Sequence, residues 1–211
     1  ILQAAGIKKA IEEDRLCLYI QPIQQLKPIN SSIVSHYEVL LRMVDEQGLV
    51  LLPDVFIPAA ERYGLIGAID RWVIEKILNN FSQLFSETEK PKISINLSGH
   101  SLNDETLLDF VKHQLNRSAV NTQQICFEIT ETAFISNLSQ ASHFVHEMQK
   151  LGCQFALDDF GSGLSSFAYL KNFPVDYLKI DGSFVRDIVD NPKDRALVAA
   201  INQLGQALNI K

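Results

Sequence analysis

The stretch 155-FALDDFGSGLSSFAYL-170 places two adjacent carboxylates, Asp158 and Asp159, after an apolar run and before a segment rich in glycine and serine. Like charges repel, so the pair needs a reason. A turn and helix cap is one. The flanking pattern offers another. Side chains alternate across a strand, so a strand over Gln154–Asp158 would put Phe155 and Leu157 on one face, Ala156 and Asp158 on the other. Asp158 would then close a strand on a face that is otherwise small.

Extending that division along the chain decides the fold. Leu16–Gln21, Ile33–Leu41, Lys92–Leu97, Ile125–Thr130 and Tyr177–Asp181 read as further strands, short and rich in Ile, Leu, Val, Phe and Tyr. One face is almost wholly apolar, with Val39, Ile93, Ile95, Phe127, Ile129 and Leu178 on it. The other is small or aromatic at the strand starts and polar at the ends, where Gln21, Glu38, Arg42, Asn96, Glu128, Asp158, Lys179 and Asp181 fall. An ordinary two-sided sheet would not gather charge at one end of every strand. The inner face of a barrel would, being a packed core below and a functional rim at the C-terminal ends of the strands.

Helical patterns lie between the strands. Pro53–Phe85 holds one or two, with Asp54 or Asp70 as caps. Asn103–Leu115, Asn137–Leu151 closed by Gly152, and Asp194–Leu208 after a turn at Pro192 complete the set. Strands alternating with helices predict parallel βα units. The short connection Pro28–Ser32 predicts that the first two strands are antiparallel.

The chain has 211 residues, 46% hydrophobic and 21% charged, which suits one domain with a well-buried core. A net charge of −6 and a pI of 5.4 argue against a nucleic-acid duplex as partner, while leaving room for a small anion held by a local cluster or a metal. Cys17, Cys126 and Cys153 lack zinc or redox spacing and fit a reducing, cytoplasmic setting. No apolar run approaches the ~20 residues of a membrane-crossing helix, so no direct membrane insertion is expected.

Glu38, Asn96, Glu128 and Asp158 share the inward phase near the strand ends. Three carboxylates meeting at one rim cannot all stay ionised unaided. Hard oxygen ligands of this kind suit Mg²⁺ or Mn²⁺. Asp159, one residue on, can leave the strand and reach a second ion, and paired ions are a common device for cleaving phosphate diesters.

The segments 20-IQPI-23, 38-EVLLR-42, 56-FIPAAE-61, 96-NLS-98, 128-EITE-131, 158-DDFGSGLSS-166 and 175-VDYLKIDGSFV-185 resemble, in order and over essentially the whole chain, the EAL domain, the bacterial cyclic di-GMP phosphodiesterase family. The resemblance implies a modified (βα)8 TIM-type barrel with one antiparallel strand. It implies hydrolysis of cyclic di-GMP to linear pGpG with two Mg²⁺ or Mn²⁺ ions, in second-messenger signalling. Glu38, Asn96, Glu128 and Asp158 would be metal ligands, and Asp159 the ligand of the second ion. Lys179, with Glu38 and Asp159, would be catalytic. Gln21, Glu38, Leu41, Arg42, Asn96 and Asp181 would contact substrate. Glu131 would brace the loop Phe160–Ser166, which in the family supports metal binding and homodimer contacts. Fused sensory or GGDEF domains, and membrane anchoring by other segments, are common in the family.

The sequence departs from the family pattern in places. The signature triplet reads Glu38-Val39-Leu40 instead of Glu-Ala-Leu, GSGLSS stands where GTGYSS is common, and Gly182 stands where arginine is frequent. The family's last two strands carry a metal-binding glutamate and a later glutamine, and the chain stops before both. Residues 1–211 are therefore expected to be a C-terminally incomplete EAL domain lacking its last two strands. It would be active only if those strands supply the glutamate, and weak or inactive alone. The alternative is a degenerate domain that binds cyclic di-GMP as a receptor or regulatory module; an enolase-type barrel is a more distant one. Plainer readings make Arg42 a neutralising partner of Glu38, His36 a core histidine, and His143 and His146 an exposed helix face.

Overall fold

The computed structural model describes residues 4–25, 36–85, 91–163, 169–170, 173 and 175–211. Its elements run α1 (Ala4–Glu12), β1 (Leu16–Ile23), β2 (His36–Val44), β3 (Val50–Leu51), α2 (Pro53–Arg62), α3 (Ile66–Leu84), β4 (Lys92–Leu97), α4 (Gly99–Leu102), α5 (Glu105–Arg117), a 3₁₀ turn (Thr122–Gln124), β5 (Ile125–Thr130), α6 (Glu131–Ser136), α7 (Leu138–Lys150), β6 (Gln154–Phe160), β7 (Tyr177–Ile180), α8 (Gly182–Arg186) and α9 (Pro192–Ala207). The expected connection Pro28–Ser32, the start of the strand expected from Ile33, and Leu164–Ser166 of the expected loop lie outside the described residues.

The fold is α/β with one mixed sheet, ordered β1-β2-β4-β5-β6-β7, with β3 paired to β2 alone. β2 runs antiparallel to β1 and β3 and parallel to β4, and the remaining pairs are parallel. Neighbouring strands lie about 4.8 Å apart, so β2 and β7, four steps away from each other, would sit roughly 19 Å apart in a flat sheet. Yet Lys179 Nζ of β7 lies 3.1 Å from Glu38 Oε2 of β2. The rings of His36 and Tyr177, on the same two strands, have centroids 5.7 Å apart. The sheet is therefore strongly curled, and the face of alternate residues holding Glu38, Ser94, Cys126, Ala156 and Lys179 is the concave one.

Helices cover the convex face, and the apolar half of each strand packs beneath them. Ile93, Ile95, Ile125, Phe127 and Phe155 are fully buried. Phe127 and Phe155 meet each other and Phe144 of α7 with ring centroids 5.7, 5.9 and 6.1 Å apart. Each such ring contributes about 1.5–3 kcal/mol on burial. β1 is an edge strand, and Ile20 on it is 42% exposed. α1 was not anticipated; it is amphipathic and sinks Ile7 and Ala10 into the core.

Several helix ends differ from expectation for identifiable reasons. α2 starts with Leu52 at its N-cap and Pro53 next, where the missing N–H costs nothing, so Asp54 lies in the first turn without capping. Asp104, not Asn103, caps α5, accepting from the Thr106 N–H. Pro192 opens α9 behind the Asn191 cap, where a turn was expected. Asp70 caps nothing in its own helix. It sits inside α3, 7% exposed, and one carboxylate oxygen accepts from the Ser98 N–H at 3.0 Å, the Ser98 hydroxyl at 2.7 Å and the Ser101 hydroxyl at 2.6 Å. Burial raises the Asp70 pKa, and these donors oppose the rise. The carboxylate thereby pins the turn that follows β4 to α3.

Asp70→Ala should therefore lower stability by about 2–4 kcal/mol, since it strands two hydroxyls and an N–H away from water. Asp70→Asn, which keeps an acceptor, should cost less. Urea unfolding followed by Trp72, the single tryptophan, measures both; equal stability of Asp70→Ala and the parent would show that the contacts are idle.

Candidate active site

Four strands deliver four charged groups to the concave face. Glu38 comes from β2, Glu128 from β5, Asp158 from β6 and Lys179 from β7. The Lys179 ammonium donates to Glu38 Oε2 at 3.1 Å, to Asp158 Oδ2 at 3.0 Å and, closest of all, to Glu128 Oε2. One oxygen of each carboxylate lies within 4.8 Å of the others. Asn96 Nδ2 donates to Glu38 Oε1 at 3.1 Å. Tilt of the strands explains the meeting: Glu38 pairs across the sheet with Ser94, Asn96 with Glu128, and Thr130 with Asp158, so the cluster climbs through successive register rows.

The electrostatics are strained by burial. Glu128 is 1% exposed. Burial, then the charge of Glu38, pushes its carboxyl pKa up, while Lys179 pulls it down. Burial alone would lower the Lys179 pKa, but Glu128, Asp158 and Glu38 outweigh it and raise it, so the side chain stays an ammonium. Three carboxylates against one ammonium leave net negative charge in a partly dry site. The oxygens suit a hard divalent cation. With metal–oxygen distances of 2.0–2.1 Å, ligands on opposite sides of Mg²⁺ stand about 4 Å apart, so the observed spread needs only a small contraction. Glu38, Glu128 and Asp158 fit such an ion.

Asp159 lies beside this cluster. Strict alternation would aim it at the convex face. Instead its φ is +52° and the β6–β7 register breaks between Leu157 and Phe160, a bulge that re-aims the side chain. Its N–H donates to Asp158 Oδ1 at 2.9 Å. Burial, then Asp158 and Asp181, raises its pKa. Asp181 caps α8, accepting from the Ser183 N–H at 2.6 Å, and the Ser183 hydroxyl, then this N–H, hold its pKa down. Glu131 is 1% exposed and accepts from the Gly161 N–H at 2.9 Å and the Tyr169 hydroxyl at 2.8 Å.

The remaining expected positions surround the cluster. Gln21 is exposed on β1, directly across from Glu38. Arg42 lies 5.3 Å from the Tyr19 ring centroid and donates to the Leu41 carbonyl at 2.7 Å; it makes no ion pair with Glu38. Leu41 lines an apolar cavity of about 240 Å³ together with Pro53, Ile57, Ile66 and Asn96. Sequence reasoning missed three supports: the Asp70–Ser98 anchor below Asn96, the contact of His36 Nε2 with Ser94 Oγ at 2.8 Å, and Tyr169. The spacing of Ser98 and Ser101 hints at a helix N-terminus, but no local pattern names a partner carried by another element.

The sequence matches the family model of the EAL domain over residues 4–211. The chain belongs to the EAL domain family. This EAL domain is 44% identical, over 99% of its length, to the cyclic di-GMP phosphodiesterase PdeB of Shewanella oneidensis, and 37% identical, over 95%, to the cyclic di-GMP phosphodiesterase PdeF of Escherichia coli. It covers 24% and 26% of those proteins, so it spans about a quarter of the curated relatives it matches. Among solved structures, the PaMucR phosphodiesterase in complex with c-di-GMP superposes with a TM-score of 0.88 at 30% identity, covering 98% of this chain and 83% of that one. The FimX EAL domain from Pseudomonas aeruginosa bound to c-di-GMP gives 0.88 at 30%, covering 98% and 81%. Among the described residues, no helix is long and apolar enough to cross a membrane.

One property of the site is testable without substrate. Burial, then Lys92 and Lys179, lowers the His36 pKa from 6.5 to about 4. The unfolded chain therefore binds this proton more readily than the folded one. The stability tied to neutral His36 is complete above about pH 6.5 and is lost as pH falls towards about 4. In buffer with chelator, unfolding free energy should decline across that window, and His36→Gln should flatten the decline; an unchanged slope in the variant would remove His36 as its source.

Proposed function

We propose that this EAL domain is a metal-dependent phosphodiesterase that hydrolyses cyclic di-GMP to linear pGpG in bacterial second-messenger signalling. The observation that carries the reading is the convergence of Glu38, Glu128, Asp158 and Lys179 from four strands on one point. The relatives, which are cyclic di-GMP phosphodiesterases, and the c-di-GMP complexes of the structural neighbours support the choice of substrate.

In this reading Glu38, Asn96, Glu128 and Asp158 hold one Mg²⁺ or Mn²⁺ ion, and Asp159 serves a second. Such ions, when bound, polarise a phosphoryl oxygen and lower the pKa of coordinated water. The product pGpG keeps a 5′-phosphate, so water oxygen bonds to phosphorus as the P–O3′ bond breaks, and the proton leaves with the 3′-hydroxyl. The Lys179 ammonium stabilises charge that grows on the attacking and phosphoryl oxygens. Arg42 neutralises phosphate in the bound state. Gln21, Asn96 and Asp181 line the approach, and Leu41 offers apolar wall to a base. Glu131 braces the backbone after Asp159.

The same reading makes the curled sheet six strands of a modified (βα)8 barrel. Lys211 supports this: its N–H donates to the Asp176 carbonyl and its carbonyl accepts from the Leu178 N–H, the pattern of parallel pairing on the free edge of β7. The last strands of such a barrel would lie between β7 and β1 and add a further carboxylate. Homodimerisation through the segment after Asp159, a cytoplasmic site of action and fusion to sensory or GGDEF domains belong to this proposal.

Two measurements on the full-length protein test it. Calorimetry should show that Glu128→Ala and Asp158→Ala weaken Mg²⁺ or Mn²⁺ binding by at least about tenfold; unchanged affinity in both would sink the ligand assignment. In single-turnover cleavage of cyclic di-GMP at saturating metal, Lys179→Ala should slow the step by about 10²–10³-fold with little change in KM. An undiminished rate would strip Lys179 of its role. Tight binding without cleavage by the unmutated protein would select the receptor reading instead.

A further inference from the structure

Two residues in the left-handed region sit two positions apart beside the cluster, Asp159 at φ +52° and Gly161 at φ +95°. Aspartate is among the few side chains that enter this region, and it does so at a cost that its surroundings must offset. Hydrogen bonds on several sides fix the path locally. The Ser162 hydroxyl donates to the Asp159 carbonyl at 2.7 Å, the Asp181 N–H donates to the Phe160 carbonyl at 3.2 Å, and the Gly161 N–H donates to Glu131 Oε2 at 2.9 Å. Only the last reaches a side chain buried in a neighbouring βα unit. Gly161 also has no room to drift, since a Cβ there would stand 3.1 Å from Ile201 and Phe184.

What holds Glu131 in turn is Tyr169. Its hydroxyl donates to the second oxygen, Oε1, at 2.8 Å, and its ring packs on Phe134 of α6 with centroids 5.6 Å apart. Burial, then the bond to Glu131, raises the phenol pKa, so it remains a donor. Glu131 cannot swing away from Gly161 without leaving a buried carboxylate oxygen and a phenol unpaired, which is costly.

We propose that Tyr169 is a positioning residue, acting through Glu131 and the Gly161 N–H to hold Asp159 in the orientation that a second divalent cation requires. This rests on the reading of Asp159 as a ligand. Tyr169 touches neither substrate nor ion; it completes the hydrogen bonding of the carboxylate that fixes the bulge. Partners that orient metal-site residues at one remove characteristically change metal affinity.

The test is Mn²⁺ titration of the full-length protein by calorimetry, with cyclic di-GMP cleavage measured at each concentration. Tyr169→Phe keeps the ring and removes the hydroxyl. It should weaken binding of the second ion by about 10–100-fold, leave the first unchanged, and recover cleavage at saturating Mn²⁺. Phe134→Leu loosens the same packing without touching the hydroxyl, and both affinities should persist. Asp159→Asn should remove the second site. If it does not, the ligand reading falls and the proposal with it. If it does, while a folded Tyr169→Phe binds both ions like the parent, the role of Tyr169 alone is overturned. Should Tyr169→Phe fail to fold, Glu131→Leu supplies the same test, because a hydrocarbon side chain accepts from neither the Gly161 N–H nor the Tyr169 hydroxyl; an intact second site there would overturn the relay.

Discussion

The buried Glu128 carboxylate is held by an ammonium, and the curvature of the sheet is what delivers it. Glu128 lies near the middle of the strand order and is shut away from water. Its nearest cation comes from β7, and the same ammonium reaches Glu38 on β2. Flattening the sheet would leave a desolvated carboxylate without its partner, a loss of several kcal/mol. Curl, inner-face composition and the charge of the site are thus one constraint seen at three scales.

The contrast with other ion pairs of the molecule is instructive. Lys9–Glu46 and Lys76–Asp14 span exposed helix and loop surfaces. Water and salt screen pairs of that kind, and they contribute little. The inner cluster differs because its members are largely buried, share one ammonium and are not balanced. The imbalance weakens the fold as a stability device while making the site receptive to further positive charge. The supports around it are neutral or buried: Ser94 and His36 below, Asp70 with its serines behind Asn96, Glu131 with Tyr169 behind Asp159.

Much of this was legible in the sequence because a strand repeats every two residues. The inward phase of Glu38, Glu128, Asp158 and Lys179 follows from counting, and Lys92–Leu97 and Ile125–Thr130 coincide with β4 and β5. Counting fails where the backbone leaves the strand. Asp159 belongs by alternation to the wrong face and is recovered only through its bulge. Asp70 sits in helical phase, and nothing within its own turn reveals that its partners lie 28 and 31 residues on. Tyr169 reads as one more apolar residue until its hydroxyl is seen on Glu131, 38 positions earlier. β3, two residues long, carries too little pattern to detect.

The pairing of Glu38 with Lys179 joins residues 141 positions apart. Contacts of such separation form late, because closing the loop costs entropy before anything is gained, and parallel sheets are slow for this reason. At about 5–20 residues per second, a ribosome needs roughly 7–28 s to make the chain between them. Through that interval Glu38 and Glu128 exist without their shared counter-charge, and the half-made sheet has no reason to bury either. The acidic residues therefore keep the inner face wet until β7 emerges. The site closes as one of the last events of folding, and a chain stalled before Lys179 would expose an open, hydrated trough to whatever quality-control machinery inspects it.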